Sequence, residues 1–429
     1  MKPLHILVSA LLGATLSTQH VVSAFNPLAK NNVVNYWGQN SVSFTGGTET
    51  DLIDYCQDNT VDVFAVAFIS SIQNGAPVLN LANHCWDKFP GSNLLNCPKI
   101  GRDIKACQAR GKAVVISIGG ASGSYSLPDA TSGRAFAEKV WDMFLGGSST
   151  TRPFGDAILD GVDLDLESGQ NAGYVAFIAT LRQKFASSSK RFYITAAPQC
   201  PYPDQATKEA LAQSWFDLVW VQFYNNYCGV QSFGTSNFNF NTWNNWATTV
   251  SQNKNVRILL GVPGGPDAAG SGVIDANRLK TILASIRTYS NFGGVMMWDA
   301  GVAFKSGLAA AAAQYLHGSL VAAAIEPRKS ELAPRADAPS LTPSNVKLST
   351  VAKPAWTLPK VPMRGAQAPV PALTTTIKVS AATPTLAVKI PNGVEGSAPY
   401  VFTIKLQGDS DENPSLASFD IVIAAQCQK

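Results

Sequence analysis

Apolar residues in this chain cluster into short runs rich in β-branched and aromatic side chains. They fall at Val33–Tyr36, Val61–Ile69, Ala113–Ile118, Ala157–Leu166, Phe192–Ala196, Leu218–Tyr224, Ile258–Val262 and Gly294–Trp298. Longer stretches with helical spacing lie between several of them, at Gly133–Leu145, Tyr174–Phe185 and Ala276–Thr288. Eight strand candidates over about 270 residues predict an α/β protein, a (β/α)8 TIM barrel filling 25–318. Several runs are apolar almost throughout, as parallel strands covered by helices should be. An open dinucleotide-binding sheet lacks its signature here, because no G-x-G-x-x-G follows the first strand.

The pattern breaks down after the Ala-rich segment Leu308–His317. Residues 319–373 are dense in Pro, Ala and Ser, with basic but almost no acidic side chains, and read as an extended linker. Beyond it Thr375–Val379, Leu386–Ile390, Tyr400–Leu406 and Phe419–Ala424 alternate like strands. They predict a small β-rich module over 374–429, close to the lower size limit for independent stability, whose role is left open.

Composition changes this picture at the N-terminus. Lys2, the apolar stretch Leu4–Leu16 and Val22-Ser23-Ala24 form a signal-peptide pattern over 1–24, too short for a membrane span, which predicts a secreted, extracellular or cell-wall protein. An oxidising destination makes disulfides the natural use of the seven cysteines, Cys427 being the odd one. A formal net charge of +4 over 429 residues gives no footprint for nucleic acid. Only His84 and His317 remain after signal cleavage, which argues against a Ser-His-Asp triad or a His-ligated metal, and no cofactor is expected.

The candidate chemistry sits at the end of the fourth strand, in DGVDLDLESG (160–169). Asp163, Asp165 and Glu167 alternate, so on a strand they share one face at about 6.5–7 Å spacing. Crowded carboxylates cannot all ionise, which raises at least one pKa into the range a general acid needs. Asp160 has the opposite parity and reads as structural. The other strand ends carry amides and aromatics: YWGQN (36–40), SIGG (117–120), APQ (197–199), QFYNN (222–226) and WD (298–299). In a barrel these ends meet at one rim, and rings with amides there describe a sugar cleft.

These segments resemble glycoside hydrolase family 18. The stretch 160–167 fits its D-x-x-D-x-D-x-E pattern and 117–120 its S-x-G-G motif. YWGQN, TAAPQCPYPD (195–204), VWVQFYNN (219–226) and GGVMMW (293–298) look like the hevamine-type class III chitinases of plants and fungi. The resemblance implies a retaining endochitinase in which the substrate's own N-acetyl group replaces the enzyme nucleophile. Glu167 would be the general acid/base, Asp165 would orient the acetamide with Tyr224, and Asp163 would lie deeper, paired with Asp165. Tyr36, Gln39, Gly119, Gly120, Gln222, Asn225 and Trp298 would line the substrate, with Trp298 as a floor and Tyr36 and Gln39 further along the cleft. Also implied are the disulfides Cys56–Cys107, Cys85–Cys97 and Cys200–Cys228, and non-proline cis bonds at Ala67-Phe68 and Trp298-Asp299. Chitin and its oligosaccharides are the expected partners of what would be a monomer without a membrane span. The chain between Tyr224 and Gly293 has no room for the inserted lobe of chain-end chitinases, which favours endo action.

Overall fold

In a computed structural model the structure describes residues 25–318, 373–378, 400–407 and 420–425. The predicted signal peptide, the 319–372 part of the linker and the predicted strand Leu386–Ile390 lie outside the described residues. The chain falls into two compact units. In the first, β1 (Asn32–Trp37), α1 (Leu52–Tyr55), β2 (Val63–Gln73), β3 (Ala76–Leu79), α2 (Pro98–Ala109), β4 (Ala113–Gly119) and α3 (Ala130–Phe144) come first. Then follow β5 (Gly161–Asp165), α4 (Gly173–Ala186), β6 (Tyr193–Ala196), α5 (Lys208–Gln213), β7 (Leu218–Gln222), α6 (Phe240–Thr249), β8 (Arg257–Pro263), α7 (Ala276–Ile286), β9 (Phe292–Trp298), α8 (Ala300–Ser306) and α9 (Leu308–His317).

The strands run in the order β1-β9-β8-β7-β6-β5-β4-β2, and a parallel β1–β2 pairing closes the ring. This is the expected eight-stranded parallel barrel, with helices between the strands. β2 outruns its partners and folds back on β3 as an antiparallel hairpin at the rim. The fourth predicted strand starts late: Ala157 and Leu159 are buried but Ile158 is exposed, and regular pairing begins only at Gly161.

Strand alternation sorts the side chains into two layers. On β5, Val162 and Leu164 point outward into the main core under the helices, where both are fully buried. Each contributes roughly 1.5–3 kcal/mol of burial free energy. Asp163 and Asp165 therefore point into the barrel. Helices α3 and α4 cover this strand and touch through glycine: a Cβ on Gly133 would stand 2.0 Å from the Gly173 carbonyl oxygen. Asp129 starts α3 with a capping box, accepting from the Ser132 N–H at 2.8 Å.

At the strand-entry end one device recurs on alternate strands. The carboxylates of Asp62, Asp160 and Asp217 accept the backbone N–H of Val33, Val114 and Ile194 on the preceding barrel strand, at 2.8, 2.7 and 2.9 Å. A basic side chain reaches each: His317 at 3.0 Å, Lys190 at 2.8 Å and Arg182 at 2.8 Å. Asp160 is thus structural, as its parity suggested.

In the second unit β10 (Leu373–Lys378) pairs parallel with β11 (Tyr400–Gln407), which pairs antiparallel with β12 (Asp420–Ala425). Three of the four predicted C-terminal strands correspond to these.

Candidate active site

Strand register builds the site from below. Ser117 of β4 and Thr195 of β6 stand level with Asp163 of β5. Their hydroxyls donate to its carboxylate at 2.7 and 2.8 Å, and Tyr36 Oη adds a third bond at 2.7 Å. Burial is the largest influence on Asp163 and pushes its pKa up to about 6, against the pull of these hydroxyls. The hydrogen bonds of Asp163 thus go to three hydroxyls, while its charge also helps to raise the pKa of Asp165. Tyr36 does not sit along the open cleft. It lies buried inside the barrel beneath the acids, donating to Asp163 and accepting the Trp220 indole N–H at 2.9 Å.

Asp165 is the next inward residue. Gln222 of β7 donates to its Oδ1 at 2.7 Å and fixes its own amide by donating to the Ala197 carbonyl at 3.0 Å. Burial, then the charges of Glu167 and Asp163, holds the Asp165 carboxyl well above the usual range. Gly119 lies level with Asp165 at φ +130°, and a Cβ there would sit 1.9 Å from the Asp165 carbonyl oxygen. Gly120 follows at φ +89° and donates its N–H to that same oxygen at 2.9 Å. Gly119 thus lets β4 run against the backbone of β5, whereas a Cβ on Gly120 would meet the Phe68 ring at 2.9 Å.

Glu167 stands just past the strand, where the chain opens toward solvent. Tyr125 Oη accepts the Glu167 N–H at 2.8 Å and donates to the Gly120 carbonyl at 3.1 Å, tying the two rim segments together. Gln199 Nε2 reaches Glu167 Oε2 at 3.4 Å, and Asn226 Nδ2 holds Gln199 Oε1 at 3.1 Å. Burial raises the Glu167 pKa and Asp204 adds to the rise, while the amides of Gln199 and Gln222 oppose it. Desolvation therefore leads, ahead of the acid–acid repulsion anticipated from spacing alone. Tyr224 is buried beside the acids, and its phenol is raised well above normal by burial and by Asp165, Glu167 and Asp163 in turn.

Trp298 forms the neighbouring wall. Its ring stacks on Phe68 at 5.7 Å and 19° and leans on Tyr36 at 5.4 Å. Gln39 uses its amide N–H groups on the Ala67 and Asn80 carbonyls, both at 2.9 Å, so it binds rim segments together. Asn225 adopts φ 57° and its Oδ1 receives the N–H groups of Gly270 and Ser271 at 2.8 and 3.1 Å, holding the loop after β8. Sequence reasoning assigned no role to Tyr125 or Asp204, and placed Gln199 and Asn226 only generally among the rim amides. Gln199 and Asp204 lie inside TAAPQCPYPD, but only folding turns them toward Glu167.

The implied disulfides Cys56–Cys107, Cys85–Cys97 and Cys200–Cys228 are all present, and Ala67-Phe68 and Trp298-Asp299 are cis. Among the described residues no helix is long and apolar enough to cross a membrane.

Known proteins share this sequence and fold. Chitinase 2 of Rhizopus oligosporus is 46% identical over 303 residues, an alignment covering 70% of this chain and 54% of that protein. The class III chitinase of Arthroderma benhamiae is 42% identical over 305 residues, covering 66% of this chain and 85% of the relative. This chain thus spans about half the length of the first of these. The ICChI chitinase of Ipomoea carnea superposes with a TM-score of 0.57 at 33% identity, covering 65% of this chain and 98% of that structure. The profile of glycosyl hydrolases family 18 matches residues 32–267. With the acid series, the barrel and these relatives in agreement, the chain belongs to glycosyl hydrolase family 18.

Proposed function

We propose that the protein is a secreted chitinase that cuts within β-1,4-linked N-acetylglucosamine polymers and retains anomeric configuration. The observation that carries this reading is the graded series on one strand: Asp163 under three hydroxyls, Asp165 held by one amide, and Glu167 at the opening with a raised pKa. The raised pKa favours the protonated form of the Glu167 carboxyl, the form a general acid requires. Glu167 gives its proton to the glycosidic oxygen as the C1–O bond breaks.

A retaining hydrolase with an enzyme nucleophile needs a second free carboxylate near C1. Asp204, a further buried acid nearby, has both oxygens occupied: Oδ1 by the Thr207 N–H and hydroxyl at 2.8 and 2.6 Å, Oδ2 by the Gln199 N–H at 3.2 Å. As the family resemblance implies, the substrate's acetamide oxygen closes on C1 to form an oxazolinium ion. Asp165 faces the acetamide N–H and balances its developing positive charge, while the Tyr224 phenol hydrogen-bonds to the acetamide oxygen and keeps its proton. Water then attacks C1, giving its proton back to Glu167 and restoring the acetamide. Chitinase names among relatives and the three disulfides support the substrate and the extracellular setting. We read 319–373 as a tether and the protein as a monomer.

The acetamide requirement provides the test. Soluble N-acetylglucosamine oligomers should be cleaved to products that are initially β-anomers by proton NMR, and fully deacetylated oligomers of the same length should not be cleaved. Cleavage of the deacetylated chains at a similar rate, or initial α-anomers, would sink the mechanism.

A further inference from the structure

Trp86 stands out against its surroundings. It is 73% exposed, yet the segment presenting it is pinned on both sides. Just before it, the His84 ring packs on Trp37 at 4.3 Å and bonds the buried Glu49 carboxylate at 2.9 Å. Cys85 is joined to Cys97 at the start of α2. Just after it, the Asp87 carbonyl accepts the Asn96 N–H at 2.8 Å and Lys88 bridges to Leu95. A large indole held in solvent on so rigid a mount offers a fixed, flat apolar face to a ligand.

The mount is continuous with the catalytic rim. Glu49 Oε2 also accepts the N–H groups of Gly38 and Asn40, both at 3.0 Å, and so brackets Gln39. Gln39 bonds the Asn80 carbonyl, and Asn80 exchanges two backbone hydrogen bonds with Phe68, the residue stacked on Trp298. Trp86 follows a few residues further along the same loop.

We propose that Trp86 is a sugar-stacking platform that extends the cleft outward from Trp298 and holds an N-acetylglucosamine ring of a long chain remote from the cleaved bond. This rests on the chitin reading above. The indole face suits the apolar face of a pyranose, and its fixed backbone means little ordering entropy is lost on contact. Its contribution is made only by substrates long enough to reach it.

The test compares the full chain with Trp86→Ala and Trp86→Tyr on a trimer of N-acetylglucosamine and on soluble glycol chitin. For Trp86→Ala we expect KM on glycol chitin to rise about fivefold, the size of one lost aromatic stacking contact. The trimer kcat/KM should stay within twofold, and Trp86→Tyr should recover most of the polymer KM. Unchanged polymer kinetics in Trp86→Ala, beside an active wild type, overturns the platform and leaves the chitinase reading intact. Equal losses on trimer and polymer would also overturn it, by assigning Trp86 to the integrity of the site. Reduced self-association of Trp86→Ala in analytical ultracentrifugation, with unchanged KM, would assign the surface to a second copy. A wild type inert on both substrates removes the chitin reading and this inference with it.

Discussion

The two ends of β5 carry the same kind of residue in opposite settings. At the entry end the Asp160 carboxylate has the Lys190 ammonium at 2.8 Å, the Val114 N–H and the Gln108 amide, and Asp62 and Asp217 repeat the arrangement. At the exit end Asp163, Asp165 and Glu167 receive only hydroxyls and neutral amides. Among the described residues no salt bridge reaches them. A neighbouring cation favours the ionised carboxylate, whereas neutral donors in a dry site only partly offset desolvation. One end therefore uses acids to fasten strands, and the other keeps them reluctant to ionise and able to exchange protons.

Removing the proton donor should separate the two ends most sharply. Glu167→Gln is expected to lower hydrolysis of colloidal chitin at least 100-fold, within the 10²–10⁴ range of general-acid contributions, with its melting temperature near that of wild type. Comparable activity would remove Glu167 from the role. Asp165→Asn comes next, with a loss of about 100-fold in kcat on soluble oligomers, because a neutral amide cannot balance the acetamide's charge. A change confined to KM would instead make Asp165 a simple binding residue.

The entry end should respond in stability and leave chemistry alone. Asp160→Ala strands the Val114 N–H and is expected to cost about 1–3 kcal/mol in urea unfolding, with kcat/KM within twofold of wild type. A large kinetic effect would show that the two ends are not separable. The smallest effect concerns His317. Burial lowers its pKa, but the hydrogen bond and charge of Asp62 prevail and hold it above 6.5. Such a group adds stability that is fully present below pH 6.5 and is lost as pH rises through the folded value. Stability relative to His317→Gln should accordingly decline above pH 6.5, and a difference that grows with pH would refute the clasp.

The fold was legible because several of its strands are apolar almost throughout, so runs such as Ala113–Ile118 declare themselves. Ala157–Leu159 misled because an apolar run reads as a strand even where Ile158 is exposed and regular pairing begins only at Gly161. The acids were legible by period: alternation on β5 puts Asp163 and Asp165 inside the barrel whatever surrounds them. Their partners were not, because Ser117, Thr195, Tyr36 and Gln222 come from other strands and meet only through register. The leading cause of the Glu167 shift was hidden for the same reason, since desolvation depends on the closed rim and not on spacing. Tyr36 and Gln39 carried a cleft-like motif, yet folding uses them to brace the site from below and from the side.

The central claim is that burial among neutral donors raises the pKa of Glu167, and titration of its carboxyl carbon tests it most directly. With ¹³C-carboxyl-labelled glutamate and the Glu167→Gln spectrum for assignment, the account predicts a midpoint above the ordinary 4.5 of a glutamic acid. A midpoint at or below 4.5 would contradict it.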